Sequence, residues 1–188
     1  MEKSTNQNPN LLTEIRERKS GRVYATKAIE KPKLELVLEA ARWAPSSMNE
    51  QPWRYVLVEQ ENKVLYEQVL GTLAESNQVW AKKAPVLLVS LAQKTFLRNG
   101  NPNRHALYDT GAANALLCIQ ATKEGLMVHQ MGGFDYNALK AVLILEEDID
   151  IAAVLSLGYA GDVNELPESY KERELAPRER YTLSEISK

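Results

Sequence analysis

The chain has 188 residues, of which 44% are hydrophobic and 26% are charged, and its formal net charge at pH 7 is −2. This balance is typical of a globular protein in water, and the length suits one domain with a buried core. A slightly negative chain without a dense stripe of Lys and Arg argues against a nucleic-acid-binding protein.

The amino-terminal stretch MEKSTNQNPN is polar and lacks the apolar segment of a signal peptide. No apolar run approaches the roughly twenty residues that a membrane span requires. Cys118 is the only cysteine, so the chain cannot form an intramolecular disulfide. We therefore expect a cytoplasmic protein that binds neither membranes nor nucleic acids.

The first fifty residues contain two helical patterns with an extended stretch between them. A short helix is expected after Pro9, and Gly21 disfavours its continuation through RKSGRVY. A second helix is expected to start at Pro32, because proline suits a first helical turn, and to end at Pro45.

Two strands are expected in the middle of the chain. Residues 53–59 are rich in aromatic and β-branched side chains, and the run VLLVSLA after Pro85 is apolar throughout, which is typical of a strand buried on both faces. The segment between them, which includes Val64 and Val69, has helical spacing. Residues 94–104 have the composition of a mobile surface loop.

The longest helical pattern covers residues 105–125 and is apolar almost all round, which is typical of a central helix or one shared with another subunit. A short strand at 126–129, a helix around Leu139 and a buried strand at 151–159 follow. Irregular alternation with few strands predicts an α+β fold around a small sheet. Residues 162–188 have few apolar positions, so we interpret them as an extended arm of a single domain that spans residues 1–188.

The spacing of Arg18, Ser20 and Arg22 suggests a site for a phosphate group. In an extended chain alternate side chains face the same way, so two guanidinium groups and a hydroxyl would converge. Arg178 and Arg180 repeat this spacing near the other end. Two solvated charge clusters are the alternative interpretation.

Three other segments each allow two interpretations. The loop APSSMNEQPW could bind the polar edge of a heteroaromatic ring, or could simply cap a helix and turn. Met131-Gly132-Gly133 is either a plain turn or a place where the backbone approaches a flat ligand closely. Asn77 is either a helix cap or a ligand contact.

Several sequence motifs are absent from the chain. It contains neither G-x-G-x-x-G nor G-x-x-x-x-G-K-[ST], so no dinucleotide or triphosphate cradle is evident. It has no H-E-x-x-H, and with one Cys and two distant His a metal site is not expected. His105 and His129 are interpreted as structural or surface histidines.

Seven motifs follow one another along nearly the whole chain. They are R-x-S-x-R-x-Y at 18–24, A-P-S-S-x-N-x-Q-P-W at 44–53, Asn77 ahead of Ala84-Pro85, Asp109-x-Gly111, Gly132-Gly133-Phe134, S-L-G-Y at 156–159 and the R-x-R ahead of Leu183. With these motifs in this order, the chain resembles the nitroreductase family of FMN enzymes. The second motif is specific, and the others gain weight from their order. Lys19 and Gly21 occupy positions that vary in the family, so the phosphate contacts could differ in detail.

The resemblance implies a small, mostly antiparallel sheet surrounded by helices, and a homodimer in which residues 162–188 are exchanged as arms. It implies phosphate contacts near the chain ends, a loop that reaches FMN from the partner subunit, and ring contacts from Asn77 and the glycine turn. The implied cofactor-binding residues are Arg18, Lys19, Ser20, Arg22, Pro45, Ser46, Ser47, Asn49, Asn77, Met131, Gly132, Gly133, Arg178 and Arg180. It assigns no catalytic side chain and no metal.

The expected activity is transfer of hydride from NADH or NADPH, through bound FMN, to a small electron-poor acceptor such as a nitroaromatic or a quinone. The flavin carries the chemistry, and the protein binds and orients it. Relatives that remove halogens or fragment flavin, a flavin-storage protein without turnover, and a helical interaction module without flavin remain alternatives.

Overall fold

The computed structural model describes residues 2–187. Four strands form the central sheet in the order β2-β3-β5-β4, with every neighbouring pair antiparallel. A second, two-stranded sheet joins β1 to β6. The strands are β1 (Lys3–Ser4), β2 (Trp53–Glu59), β3 (Val86–Gln93), β4 (Leu126–Met131), β5 (Ile149–Tyr159) and β6 (Arg180–Tyr181).

Helices cover both faces of the central sheet. The helices are α1 (Thr13–Glu17), α2 (Lys31–Arg42), α3 (Lys63–Thr72), α4 (Glu75–Ala81), α5 (Ala106–Lys123), α6 (Tyr136–Val142), α7 (Glu168–Leu175) and α8 (Leu183–Ile186). Two short 3₁₀ turns are Ser47–Asn49 and Val163–Glu165. None of the helices within residues 2–187 is both long and apolar enough to cross a membrane.

The core has two halves because alternate residues of a strand point to opposite faces. In β3, Leu87 and Val89 pack into the half formed with α3, α4 and α6. Val86 and Leu88 pack into the half formed with α2 and α5. All eight residues of β3 are buried, as expected for a strand covered on both faces. The α+β architecture with an antiparallel sheet is therefore confirmed.

Several predicted elements agree with the structure, and a few differ. The strand at residues 53–59 has the expected bounds. The first helix begins at Thr13, later than expected, and residues 18–23 then run without regular secondary structure. Helix α4 was not predicted, because ESNQVWA is too short to show a helical period.

The loop at residues 94–104 is closed by its own hydrogen bonds. Thr95 and Pro102 form a bridge, and the Phe96 N–H donates to the Asn101 carbonyl at 2.8 Å. The Asn103 N–H donates to the Lys94 carbonyl at 2.6 Å. The polar composition of residues 94–104 predicted a mobile loop, but the segment forms a compact turn that is closed by hydrogen bonds. Composition alone does not reveal these bonds.

The arm at residues 162–187 carries α7, β6 and α8. Its strand β6 pairs with β1, with Lys3 opposite Tyr181 and Ser4 opposite Arg180. This pairing brings the two ends of the chain together. The exchange of this arm between subunits stays a prediction.

Candidate functional site

Four arginines line one cavity where the two chain ends meet. The cavity has a volume of about 650 Å³, and its lining includes Arg16, Arg18, Arg178 and Arg180 but no Asp or Glu. The rest of the wall consists of hydroxyl and amide side chains and apolar residues that include Ile15. A cavity lined by charges of one sign concentrates the field and attracts the opposite charge.

The arginines of this cavity lie close enough to repel one another. Burial, and then the positive charges of Arg18 and Arg180, lower the pKa of Arg178. Arg178 donates hydrogen bonds to the backbone carbonyls of Arg16 and Arg18, so it joins the arm to the first segment. The Nε of Arg16 is buried without a hydrogen-bond partner among the described residues. A dianion such as a phosphate would relieve this repulsion and supply the missing acceptor.

The predicted phosphate-binding residues of the first segment have two different surroundings: some lie at the cavity, and others contact the carboxylate of Glu174. Arg18 Nη1 lies 3.4 Å from Ser20 Oγ, so these two are together as predicted. Lys19 Nζ instead lies 2.9 Å from Glu174 Oε1, and Arg22 donates its backbone N–H to Glu174 Oε2 at 2.9 Å. The structure therefore groups Arg18, Ser20, Arg178 and Arg180, and places Lys19 and Arg22 beside Glu174.

The loop after α2 has an unusual backbone. Met48, Asn49 and Gln51 have φ angles of 56°, 55° and 52°, although none of them is glycine. This left-handed conformation costs roughly 1–2 kcal/mol per residue for most L-amino acids, and less for Asn. Such strain persists where surrounding contacts enforce it, and it is concentrated at functional sites. The observed geometry therefore supports a functional role for this loop.

Three hydrogen bonds hold the loop in this shape. Asp109, 4% exposed in the first turn of α5, accepts the Ser47 N–H at 2.9 Å. Ser46 Oγ accepts the Gln51 N–H at 2.9 Å. Glu50 accepts the Leu97 N–H at 2.6 Å, which ties the loop to residues 94–104.

The predicted ring-contacting residues meet at the turn after β4. Asn77 Nδ2 donates to the Gly133 carbonyl at 3.2 Å, and the Ala74 N–H donates to the same oxygen at 2.8 Å. Gly132 and Gly133 are exposed, whereas Met131 is only 2% exposed, so Met131 can offer a ligand mainly its backbone. Asn77 lies inside α4 and binds this turn, so it is not a cap.

The predicted loop residues are accessible. Pro45 and Asn49 are exposed, and Ser46 and Ser47 are half-buried. Neither this loop nor the glycine turn lines the arginine cavity. The structure thus divides the predicted site residues into four groups: the arginine cavity, the pair beside Glu174, the loop after α2 and the glycine turn.

Sequence reasoning missed three residues that organise these groups. Arg16 continues the two-residue spacing of Arg18 and Ser20, so that spacing could have indicated it. Asp109 was noted in a motif but was given no role. Glu174 has no local signal, because its partner Arg22 is 152 positions away.

His129 and Cys118 have structural roles, as the sequence predicted for His129. His129 stacks on Trp80 with ring centroids 4.5 Å apart, and its Nδ1 lies 3.1 Å from the Gly21 carbonyl. Burial lowers the pKa of His129, so the ring is neutral at pH 7. Cys118 is buried, and burial raises the pKa of its thiol. Residues 2–187 contain no group of three or more His, Cys, Asp or Glu side chains placed to hold a metal ion.

The chain is similar to several known oxidoreductases and to a deiodinase. A solved oxidoreductase that contains FMN superposes with a TM-score of 0.88 at 30% identity, over 100% of this chain and 96% of that one. The NADH dehydrogenase of Thermus thermophilus is 29% identical over 179 residues, which cover 77% of this chain and 84% of that protein. The iodotyrosine deiodinase of Thermotoga neapolitana is 27% identical over 157 residues, which cover 71% of this chain and 81% of that protein.

The structural likeness confirms the predicted nitroreductase-like fold. A model of the nitroreductase family matches residues 15–159, which is more than half of the chain. The protein is therefore a member of the nitroreductase family.

Proposed function

We propose that the protein is an FMN-dependent oxidoreductase that passes hydride from NADH or NADPH to an electron-poor acceptor such as a nitroaromatic or a quinone. The observation that carries this proposal is the cavity with four arginines and no carboxylate. The similar oxidoreductase that contains FMN supports the identity of the cofactor. The similar NADH dehydrogenase supports a nicotinamide donor.

The residues present suit FMN. Arg18 and Arg180 would bind the dianionic phosphate, and the buried Nε of Arg16 would gain an acceptor. The loop at 45–49 and the turn at 131–133 would hold the ring. When bound, the flavin supplies the redox chemistry.

The side chains of the protein bind and orient, and none is proposed as catalytic. Burial lowers the pKa of His129, so its ring is neutral at pH 7. Burial raises the pKa values of Tyr24 and Tyr55, so both hydroxyl groups keep their protons at pH 7. Their hydrogen bonds are used inside the core: the Tyr24 hydroxyl lies 2.6 Å from Ser156 Oγ, and the Tyr55 hydroxyl donates to Asn114 Oδ1 at 2.9 Å.

The test of this proposal is the absorbance spectrum of the purified protein, followed by identification of the released cofactor and an assay of NADH and NADPH oxidation. A flavin spectrum, released FMN and acceptor-dependent oxidation would support it. Bound flavin without oxidation would identify a storage protein, and a protein without flavin affinity would contradict the proposal.

We predict ping-pong steady-state kinetics. The chain contains no separate dinucleotide motif, so donor and acceptor would use the same flavin face in turn. Double-reciprocal plots at several acceptor concentrations should therefore be parallel. Intersecting lines would reveal a ternary complex and contradict a shared face.

We also propose a homodimer. Helix α5 exposes Leu107 and Tyr108, which are 48% and 79% exposed, and the neighbouring Trp43 and Met48 are 73% and 67% exposed. The Ser47 N–H donates to Asp109 of the same helix, which brings Met48 close to Leu107 and Tyr108. Trp43 directly follows α2, which packs against α5, so these apolar side chains belong to one side of the molecule. An exposed apolar region of this kind is typical of a subunit interface.

In light scattering at micromolar concentration, the protein should have twice the mass of a single chain. Tyr108→Glu should shift it toward the monomer, because an unpaired charge would enter an apolar interface. Val64→Glu is the matched control, since Val64 is 71% exposed on α3, which packs in the other half of the core from α2 and α5. A wild-type monomer that retains FMN would overturn the dimer.

A dehalogenating activity is the second candidate. It is favoured by the similarity to an iodotyrosine deiodinase. Release of iodide from an iodinated tyrosine in the presence of a reductant would identify it, and reduction of nitroaromatics without iodide release would exclude it.

A further inference from the structure

One buried carboxylate joins the arm to the segment that carries Arg18. The side chain of Glu174, on α7, is only 3% exposed. Its Oε2 accepts the backbone N–H of Arg22 at 2.9 Å and lies 3.9 Å from Arg22 Nη1. Its Oε1 lies 2.9 Å from Lys19 Nζ, as an ion pair without hydrogen-bond geometry.

Gly21 makes this approach possible. A Cβ atom at this position would lie 1.8 Å from Met127 Sδ and 2.9 Å from Glu174 Oε1. Any other residue would therefore force Met127 away and crowd the carboxylate. Lys19 and Gly21 thus both lie directly against the Glu174 carboxylate.

Within residues 2–187, the hydrogen-bond and ion-pair partners of the Glu174 carboxylate all come from residues 19–22. A buried carboxylate is costly unless it is paired and hydrogen-bonded, so removing these partners would be strongly unfavourable. On the other side of the segment, His129 Nδ1 contacts the Gly21 carbonyl. The segment is thus held from two sides, directly beside Ser20 and Arg18.

We propose that Glu174 is a positioning residue of the flavin phosphate site. It fixes the backbone of residues 19–22, and through it the direction of Ser20 and Arg18. This inference rests on the proposed FMN function.

The test measures the dissociation constants of FMN and riboflavin for the flavin-depleted full-length protein by fluorescence quenching. Riboflavin lacks the phosphate, so the ratio of the two constants reports the phosphate site alone. Glu174→Ala should weaken FMN binding about tenfold or more, because a hydrogen bond to a charged group contributes about 1.5–3 kcal/mol. Riboflavin binding should change less than about threefold, since it depends on the ring contacts.

Two further variants of Glu174 distinguish the effect of its hydrogen bond from the effect of its charge, and one of them also serves if the Ala variant does not fold. Glu174→Gln should keep FMN affinity within about threefold, because its amide oxygen can still accept the Arg22 N–H. Glu174→Asp keeps the charge but is too short to reach that N–H, so it should lose FMN affinity as Ala does. It also provides the test if Glu174→Ala does not fold. Glu172→Ala, an exposed position on the same helix, is the matched control and should bind both flavins as wild type.

The outcomes distinguish this inference from the proposed function. Wild-type protein that does not prefer FMN to riboflavin would contradict the phosphate site itself. A wild-type preference that Glu174→Asp and Glu174→Ala retain in full would overturn the positioning role. Equal losses for FMN and riboflavin in these variants would also overturn it, since they indicate general destabilisation.

Discussion

Replacing Arg18 by Ala should weaken FMN binding by about ten- to a hundredfold, because each desolvated, charge-assisted hydrogen bond contributes about 1.5–3 kcal/mol. Arg18 lines the cavity and contacts Ser20, and no carboxylate in the lining competes for it. Arg180→Ala should have a similar effect from the other end of the chain. Titration of flavin fluorescence measures both.

Riboflavin is the internal control for this prediction, because it lacks the phosphate and should lose far less affinity. Arg173→Ala is the matched variant, since Arg173 is an exposed arginine of α7 that does not line the cavity. If folded Arg18→Ala and Arg180→Ala proteins both kept wild-type affinity for FMN, the phosphate assignment would be abandoned.

Replacing Asp109 by Ala should release the strained loop at residues 45–51. The Ser47 N–H would lose its acceptor, and the left-handed residues Met48, Asn49 and Gln51 would lose a contact that maintains their conformation. We expect a loss of about 1–3 kcal/mol in the free energy of unfolding, measured with denaturant. Because the loop is proposed to contact the ring, FMN and riboflavin should weaken by the same factor, about tenfold.

Asp109→Asn is the control, because its amide oxygen can still accept the Ser47 N–H. It should retain most of the stability and the flavin affinity. The pattern of loss differs from that of Arg18→Ala, which should affect FMN selectively. An Asp109→Ala protein with unchanged stability and flavin affinity would show that the loop is held by its other contacts.

Local patterns account for the elements that were predicted well. The strand at 53–59 shows the composition of β-structure, and VLLVSLA is apolar throughout because both faces of β3 are covered. The helix α5 was predicted from its long apolar pattern, and it extends from Ala106 to Lys123. Helix α4 was missed, because seven residues carry too little periodicity to outweigh a polar composition.

The sequence predicted α5 as apolar all round, but only the structure shows which of its apolar side chains are buried in the core and which are exposed. Ala113 and Leu117 face the core, whereas Leu107 and Tyr108 face outward. Composition could not separate these faces, because both carry apolar side chains. The outward face is what motivates the proposed dimer.

The sequence alone determined the family, the α+β class and three of the four arginines that line the cavity, Arg18, Arg178 and Arg180, because short motifs and residue spacing record them locally. Only the tertiary structure decided which charges act together. Arg178 bonds to the backbone of Arg16 and Arg18, whereas Lys19 and Arg22 turn to Glu174. These partners are more than 150 positions apart, and they meet because the arm packs against the first segment and β6 pairs with β1. A local pattern carries no information on such contacts, since they depend on how the whole chain closes.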